Sequence, residues 1–376
     1  MLTIDAVHLR EINMPLAFPF ETSFGVTTTR RILLVEIESD GLTAWGECVA
    51  GEHPYYSEES VDTAWLITET ELAPRLVGQE LIGGGSCPAL FRQIRGHRMA
   101  KAALENAVWD MEAQQKKMSL SELLGGTLSV IPCGVSIGIQ PSPAALMEKI
   151  AEALEAGYQR IKLKCKPGWD TKIFGQVRAH WPDIRLSCDA NSAYRVVDID
   201  RIAEWDEFDL MMIEQPLWYD DFYFHSMLQK RLDTPICLDE SIRTRRDALA
   251  AIDMDSCRII NIKVGRVGGF SEAIAVHNAT AERGIPVWCG GMLETGIGRA
   301  HNIALSSLAN FSLPGDVSAS RRYWVEDIIE PEVTVSSQGE ITVPQGVGSG
   351  FSVVRDRIEA LTVRRQTVRS PARVMA

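Results

Sequence analysis

The chain has 376 residues, enough for a barrel of about 250 residues and a smaller partner domain. Hydrophobic residues make up 45% and charged residues 23%, which excludes a disordered or fibrous chain. With 38 basic against 50 acidic side chains the net charge is −12, so nucleic acid and anionic membrane are poor partners and a small molecule is expected.

In chain order, MLTIDAVHLREINM carries Asp5, Arg10 and Glu11 where a signal peptide needs an unbroken apolar stretch. No run approaches 18 apolar residues, so no membrane span is expected. The cysteines, 48, 87, 133, 165, 188, 237, 257 and 289, are scattered with no CxxC pair, which fits reduced, cytoplasmic usage. Residues 1–14, RILLVEIES and AWGECVA read as strands of an antiparallel sheet. The stretch PLAFPFETSFGVTTTRR between the first two reads as a long loop; Phe24 beside Gly25 at its tip suits a mobile lid as well as an ordinary surface connection. From Ser57 to Met118 the pattern is helical, and KAALENAVWDMEAQQKKM, with Ala103, Ala107, Trp109, Met111 and Ala113, predicts an amphipathic helix. Ser119 and Glu122 fit a capping box, and LLGG stops the helix that follows. Residues 1–125 are therefore expected to form an α+β domain.

Past Gly126 the rhythm is strand then helix. Strands are expected near 131–139, 160–165, 184–189, 209–214, 235–239, 258–263 and 285–289, with an eighth element near 311–317. Repeated right-handed crossovers give a parallel sheet, and even spacing favours a closed barrel over 126–322. In the last segment, 323–376, EVTVSSQGEITV predicts a hairpin turning at Gln338 and Gly339 and rejoining the first domain. The basic tail from Arg364 lacks an apolar face and is expected to be only partly ordered.

Five residues carry the chemistry. Lys164, Asp189, Glu214, Asp239 and Lys263 follow one another at steps of 25, 25, 25 and 24 residues by subtraction of their numbers, each closing or following a short apolar run. In a barrel of βα units these strand ends converge on the C-terminal rim. Three carboxylates there cannot all stay ionised without compensation, and a hard cation such as Mg²⁺ supplies it. Singly, each acid could instead cap a helix or pair with an arginine. Strand alternation points Lys162 and Lys164 to one interior face, where Lys162 suits an ion pair and its charge favours neutral Lys164. With Lys263 beyond the acids, the set suits removal of a proton α to a carboxylate: the metal stabilises the enediolate while a lysine accepts the proton. A Schiff-base barrel and a binding-only barrel are the rival readings.

The motifs IKLK, CDAN, IEQPL, LDES, NIKVGRVGG and GGMLETGIGRAHN, with ALENAVWD and SLSELLGG earlier, resemble the enolase superfamily, muconate lactonizing subgroup. Within it they resemble the o-succinylbenzoate synthase and N-succinylamino acid racemase family. The resemblance implies a (β/α)7β barrel with an α+β capping domain built from both chain ends. It implies Asp189, Glu214 and Asp239 as ligands of Mg²⁺, for which Mn²⁺ or another divalent cation can substitute. Lys164 and Lys263 become the acid/base pair, supported by Lys162, Asn191 and Glu240. Phe24 would belong to a lid, and Ser136, Gly291 and Met292 would line the substrate cavity. The implied reactions are dehydration to o-succinylbenzoate for menaquinone synthesis and racemisation of N-succinylamino acids, with dipeptide epimerisation as an alternative, in a cytoplasmic homo-oligomer. Other features read as structural: Gly265, Gly268 and Gly269 as a loop turn, His301 as a helix residue, Tyr55 and Tyr56 as packing with the cavity border as the alternative, and Cys165 and Lys166 without function. Arg266 either holds Lys263 neutral or pairs with an acid.

Overall fold

The computed structural model describes residues 1–369. Seven parallel strands lie side by side in chain order: Gly134–Ile137, Arg160–Lys164, Leu186–Asp189, Ile213–Glu214, Ile236–Leu238, Ile259–Ile262 and Val287–Cys289. The stretch around 311–317 closes the curl through single bridges, Phe311 to Val287 and Gly315 to Cys133. Asp316 N–H donates to Cys289 O at 2.8 Å and Gly134 N–H to Gly315 O at 2.7 Å, so this eighth element joins the last strand to the first. Alternation sorts the side chains. Ile161, Leu163, Cys188, Ile213 and Ile260 turn outward into the core shared with the helices, while Met212, Cys237, Ile259 and Trp288 plug the barrel floor. All eight cysteines are free thiols and buried. No helix among the described residues is long and apolar enough to cross a membrane.

Ala6–Thr22, Gly25–Ser39 and Leu42–Cys48 form an antiparallel sheet beside the barrel. The expected long loop is a correction: the chain stays extended to the tip, Thr22 faces Gly25 across the turn, and only Ser23 and Phe24 lie between the strands. The ladder slips between Pro15 and Phe20, where Pro15 and Pro19 have no N–H to give, and β-branched Val26 to Thr29 resume it.

Two further expectations change in the last segment. Glu340–Thr342 forms its ladder with Val130–Pro132 at the barrel, and the chain does turn at Gln338 and Gly339, but the upstream stretch adds Ser336 N–H to Glu340 O at 2.9 Å and, among the described residues, no second strand. The tail forms a strand, Thr362–Arg369, on the open edge of Ala6–Thr22. An edge strand needs backbone bonds more than an apolar face, and charge on it discourages further pairing. Residues 370–376 of that expectation lie outside the described residues.

The helix Arg98–Lys116 lies on the sheet through small residues: a Cβ on Gly46 would sit 1.8 Å from Ala103 O. Its Ser119 successor does cap the next helix, accepting Glu122 N–H at 3.2 Å. Two buried carboxylates then fix the sheet domain to the barrel at helix N-termini, where unpaired N–H groups and the helix dipole favour negative charge. Glu105 accepts Ser271 N–H at 2.8 Å at the start of Phe270–Glu282. Glu47 accepts from Thr295 Oγ1 at 2.6 Å and Gly298 N–H at 2.9 Å at the start of Gly296–Ser306. Gly265, Gly268 and Gly269 are therefore more than a loop turn. A Cβ on Gly265 would meet Val49 at 2.4 Å, and one on Gly269, at φ +123°, would meet Glu105 at 2.2 Å.

Candidate active site

Strand register assembles the site. Lys164 pairs with Asp189 and Asp189 with Glu214 across three neighbouring strands, so the three side chains stand in one row on the interior face. Glu214 faces Cys237, and Asp239, two residues further, turns the same way. Asp189, Glu214 and Asp239 are all buried.

Each acid is held by cations. Lys164 Nζ donates to Asp189 Oδ2 at 2.6 Å and Asn191 Oδ1 at 2.7 Å. Lys162 Nζ reaches Glu214 at 2.7 Å and Asp316 at 2.6 Å, with its charge 4.5 Å above the Trp288 ring. Lys263 Nζ reaches Asp239 Oδ2 at 2.7 Å, and Arg266 takes Asp239 Oδ1, so Arg266 is an ion-pair partner. Asn191, at φ +43°, donates Nδ2 to Glu240 at 2.9 Å and its own N–H to Asp189 at 2.9 Å.

Charge and burial compete throughout. Burial pushes Glu214 up and neighbouring Asp189 adds to it, outweighing the lysines. Burial also pushes Asp189 up, but Lys164 and Lys162 outweigh it and hold Asp189 well below the usual carboxylate range. Glu240 is pushed up to about 7, by burial first and Asp189 second. Burial opposes the charge on Lys263, yet Tyr56, Glu214 and Glu240 overcome it and raise its pKa. For Asp316, Lys162 and Arg160 outweigh burial and hold it down to about 2.

As these side chains stand, no three acidic, histidine or cysteine groups among the described residues converge closely enough to hold a metal. The donor set still fits a hard divalent cation. Three buried carboxylates end consecutive strands, and their present partners are cations of the chain occupying the same oxygens. Among the described residues buried Glu240 Oε2 and Asn261 Oδ1 beside them have no partner, so acceptor capacity is left over.

A cavity of about 490 Å³ opens above the row, between the rim and the sheet domain. Lys162, Lys164, Asn191, Lys263, Ser136, Gly291, Met292 and Phe24 all line it, while the three acids lie beneath and Glu240 stands behind Asn191. The hairpin tip already touches the barrel: Ser23 Oγ donates to Asn191 O at 3.3 Å, and Glu21 pairs with Lys166 at 3.0 Å. Lys166 thus has a contact that sequence reading did not assign.

Sequence reading did not assign the roles of four residues of the site. Tyr56, which the sequence allows either as packing or at the cavity border, does line the cavity, and its hydroxyl accepts from Lys263 at 3.0 Å and donates to Asp239 at 3.0 Å. Asp316 comes from the closing stretch, and Gln215 Oε1 accepts Asp239 N–H at 2.9 Å. Asn261 donates to Glu214 at 2.8 Å, and only a glycine fits at 290, where a Cβ would lie 2.3 Å from Asn261 Oδ1. Asn261 had a signal: two residues before Lys263 on a strand, it must share its face. His301 is buried on Gly296–Ser306, edge-on to Phe270, and burial lowers its pKa to about 4, so it is neutral.

Comparison with known proteins agrees with this architecture. Residues 4–125 match the mandelate racemase / muconate lactonizing enzyme N-terminal domain, and residues 145–357 the enolase C-terminal domain-like family. An o-succinylbenzoate synthase of Geobacillus kaustophilus is 52% identical over 96% of both chains. An N-succinylamino acid racemase of an Amycolatopsis species is 44% identical over 97% of this chain and 99% of its own. A crystal structure of an enolase superfamily member from Listeria innocua superposes with a TM-score of 0.94 at 39% identity, covering 98% of this chain and 100% of that one. A barrel rim with buried acids between lysines, closed by a domain drawn from both chain ends, and these full-length likenesses give one conclusion: the chain belongs to the mandelate racemase / muconate lactonizing enzyme family of the enolase superfamily.

Proposed function

We propose that the protein is a cytoplasmic, Mg²⁺-dependent enzyme that removes the proton α to a carboxylate of a succinylated acid. Its reaction is dehydration to o-succinylbenzoate, with N-succinylamino acid racemisation as a second outcome. The observation that carries this is the placement of Lys164 and Lys263 on the wall of one cavity, with Asp189, Glu214 and Asp239 buried beneath. Asp189, Glu214 and Asp239 would hold the cation, which when bound supplies positive charge for the substrate carboxylate and for the acids.

The chain's own residues do the rest. One lysine takes the α-proton. In dehydration that same lysine returns the proton to the departing β-hydroxyl, which leaves as water, while the charge of the other lysine stabilises the enediolate. In racemisation the other lysine returns a proton to the opposite face of the α-carbon. Lys162, locked to Glu214 and Asp316, fixes the acid row from below and holds positive charge near Lys164. Tyr56 and Asn191 orient Lys263 and Lys164. The hairpin tip shuts water out of the cavity. A Schiff-base role gives no account of the three buried carboxylates that lie between the two lysines.

The test is to offer purified protein with Mg²⁺ the dehydration substrate and several N-succinylamino acids and compare kcat/KM. Turnover of at least one, abolished by EDTA and restored by Mg²⁺, is expected. Turnover that survives EDTA, or α-proton exchange with none of them, refutes the proposal.

A further inference from the structure

A succinylated substrate carries two carboxylates. One lies beside the α-carbon and belongs with the lysines and acids of the rim; the other ends the succinyl chain and needs a cationic partner of its own. Among the described residues five lysine and arginine side chains line the cavity, Arg30, Arg31, Lys162, Lys164 and Lys263, with His53 as a sixth basic group. Of the five, four are committed. Lys162, Lys164 and Lys263 hold the buried acids, and Arg31 holds Glu11 at 2.7 Å and Asp62 at 2.7 Å.

Arg30 differs. It is 6% exposed, and among the described residues its side chain makes one hydrogen bond, from Nη2 to Val49 O at 3.2 Å. Its buried Nε has no partner among the described residues. A guanidinium has five N–H donors, and burying it unpaired is costly. Of the acids near it, Glu47 is held by Thr295 and Gly298 and Glu294 Oε1 by Met292 N–H and Asn302 Nδ2, while Glu52 is exposed on the cavity wall and makes no ion pair with Arg30. Burial accordingly lowers the pKa of Arg30, against the pull of Glu47 and Glu294. Arg30 faces Met14 on the neighbouring strand and shares its side of the sheet with Ile32 and Leu34, which pack into the barrel core. It therefore lies on the sheet-domain wall of the cavity, across the seam from the rim lysines.

We infer that Arg30 is the specificity-determining residue for the acyl group, binding the terminal carboxylate of the succinyl chain through its unpaired guanidinium edge. This rests on the succinylated substrate proposed above. The fork geometry of arginine suits bidentate recognition of a carboxylate.

The experiment follows α-proton exchange in D₂O for an N-succinylamino acid and the N-acetyl compound of the same side chain, which keeps the amide and lacks the terminal carboxylate. Wild-type protein, Arg30→Met and Arg30→Lys are compared. A charge-assisted hydrogen bond is worth roughly 1.5–3 kcal/mol, about 10- to 100-fold. Arg30→Met should lose about that much of the succinyl-over-acetyl ratio in kcat/KM, mainly through KM, and Arg30→Lys should recover part of it. Equal loss on both compounds means that Arg30 only balances Glu47 and Glu294, and overturns the assignment. Should Arg30→Met not fold, a substrate whose terminal carboxylate is replaced by the isosteric amide decides the matter in wild-type protein: at least about a 10-fold rise in KM supports Arg30, and an unchanged KM refutes it. Wild-type turnover without succinyl preference sinks this inference alone, whereas no turnover of any succinylated compound sinks the parent reading.

Discussion

Replacing Gly269 by alanine tests how the sheet domain is seated on the barrel. The residue has φ +123°, in a region essentially restricted to glycine, where a side chain costs about 1–3 kcal/mol. The new Cβ would stand 2.2 Å from Glu105 Oε2, so the carboxylate must leave. It would abandon Ser271 N–H at 2.8 Å and Trp109 Nε1 at 3.1 Å, bonds to a charged group worth about 1.5–3 kcal/mol. The two costs together come to about 3–6 kcal/mol, a large part of a typical stability of about 5–15 kcal/mol. Gly284 is the matched control, with φ +67° and nothing among the described residues within 4 Å of its Cβ position. Gly284→Ala should cost only about 1–2 kcal/mol of backbone strain. Urea unfolding of both variants measures the gap, expected at about 2–4 kcal/mol. Equal unfolding midpoints at equal slope would refute the reasoning, because the carboxylate would then swing aside without loss.

Lys164→Arg and Lys263→Arg should each abolish racemisation and keep α-proton exchange for one enantiomer only, a different one in each variant; NMR in D₂O shows it, and loss of the same enantiomer in both leaves a single base. Asp239→Asn should fold and lose Mg²⁺ binding by calorimetry, whereas Asp239→Ala, which leaves Lys263 and Arg266 buried without their carboxylate, should also lose about 3–5 kcal/mol of stability in denaturant. Glu47 and Glu105 are both pushed up to about 7, by burial first. A raised folded pKa means stability that is full below about pH 4.5 and falls as pH rises to about 7, so Glu105→Gln should flatten that fall by up to about 3 kcal/mol in unfolding curves at stepped pH. Proteolysis near residues 20–28 should slow with substrate and Mg²⁺, and Glu21→Ala, which frees the tip from Lys166, should speed it without them; equal cleavage in all states argues against a closing tip.

The acid and lysine ladder was legible because each member ends a strand of a regular repeat, so spacing alone carries it into one row. Asp316 was not, because the stretch closing the barrel makes isolated bridges instead of a ladder and shows no strand alternation. Tyr56 sits in an irregular stretch, and its place beside Lys263 depends on how the sheet domain docks, which no local pattern records. The same holds for the glycines at 265 and 269: a turn motif announces positive φ but cannot announce Val49 or Glu105 opposite it. The hairpin was misread as a loop because its two prolines mark a slip in register, not an end of pairing.

The seating of the sheet domain has a consequence for recombination among relatives. Its anchors, Glu47 on Gly298 and Glu105 on Gly269, are matched pairs in which a carboxylate on one side requires a bare backbone on the other. A whole domain transplanted from another family member must bring both carboxylates in the same register or leave Gly298 N–H and Ser271 N–H at the two helix starts without their acceptors. The hairpin from Met14 to Arg31 carries neither anchor, yet it supplies Phe20, Thr22, Phe24 and Arg30 to the cavity wall. The interchangeable module is therefore that hairpin, and a library confined to it can alter which acyl group is accepted while the lysines, the acids and the seam remain as they are.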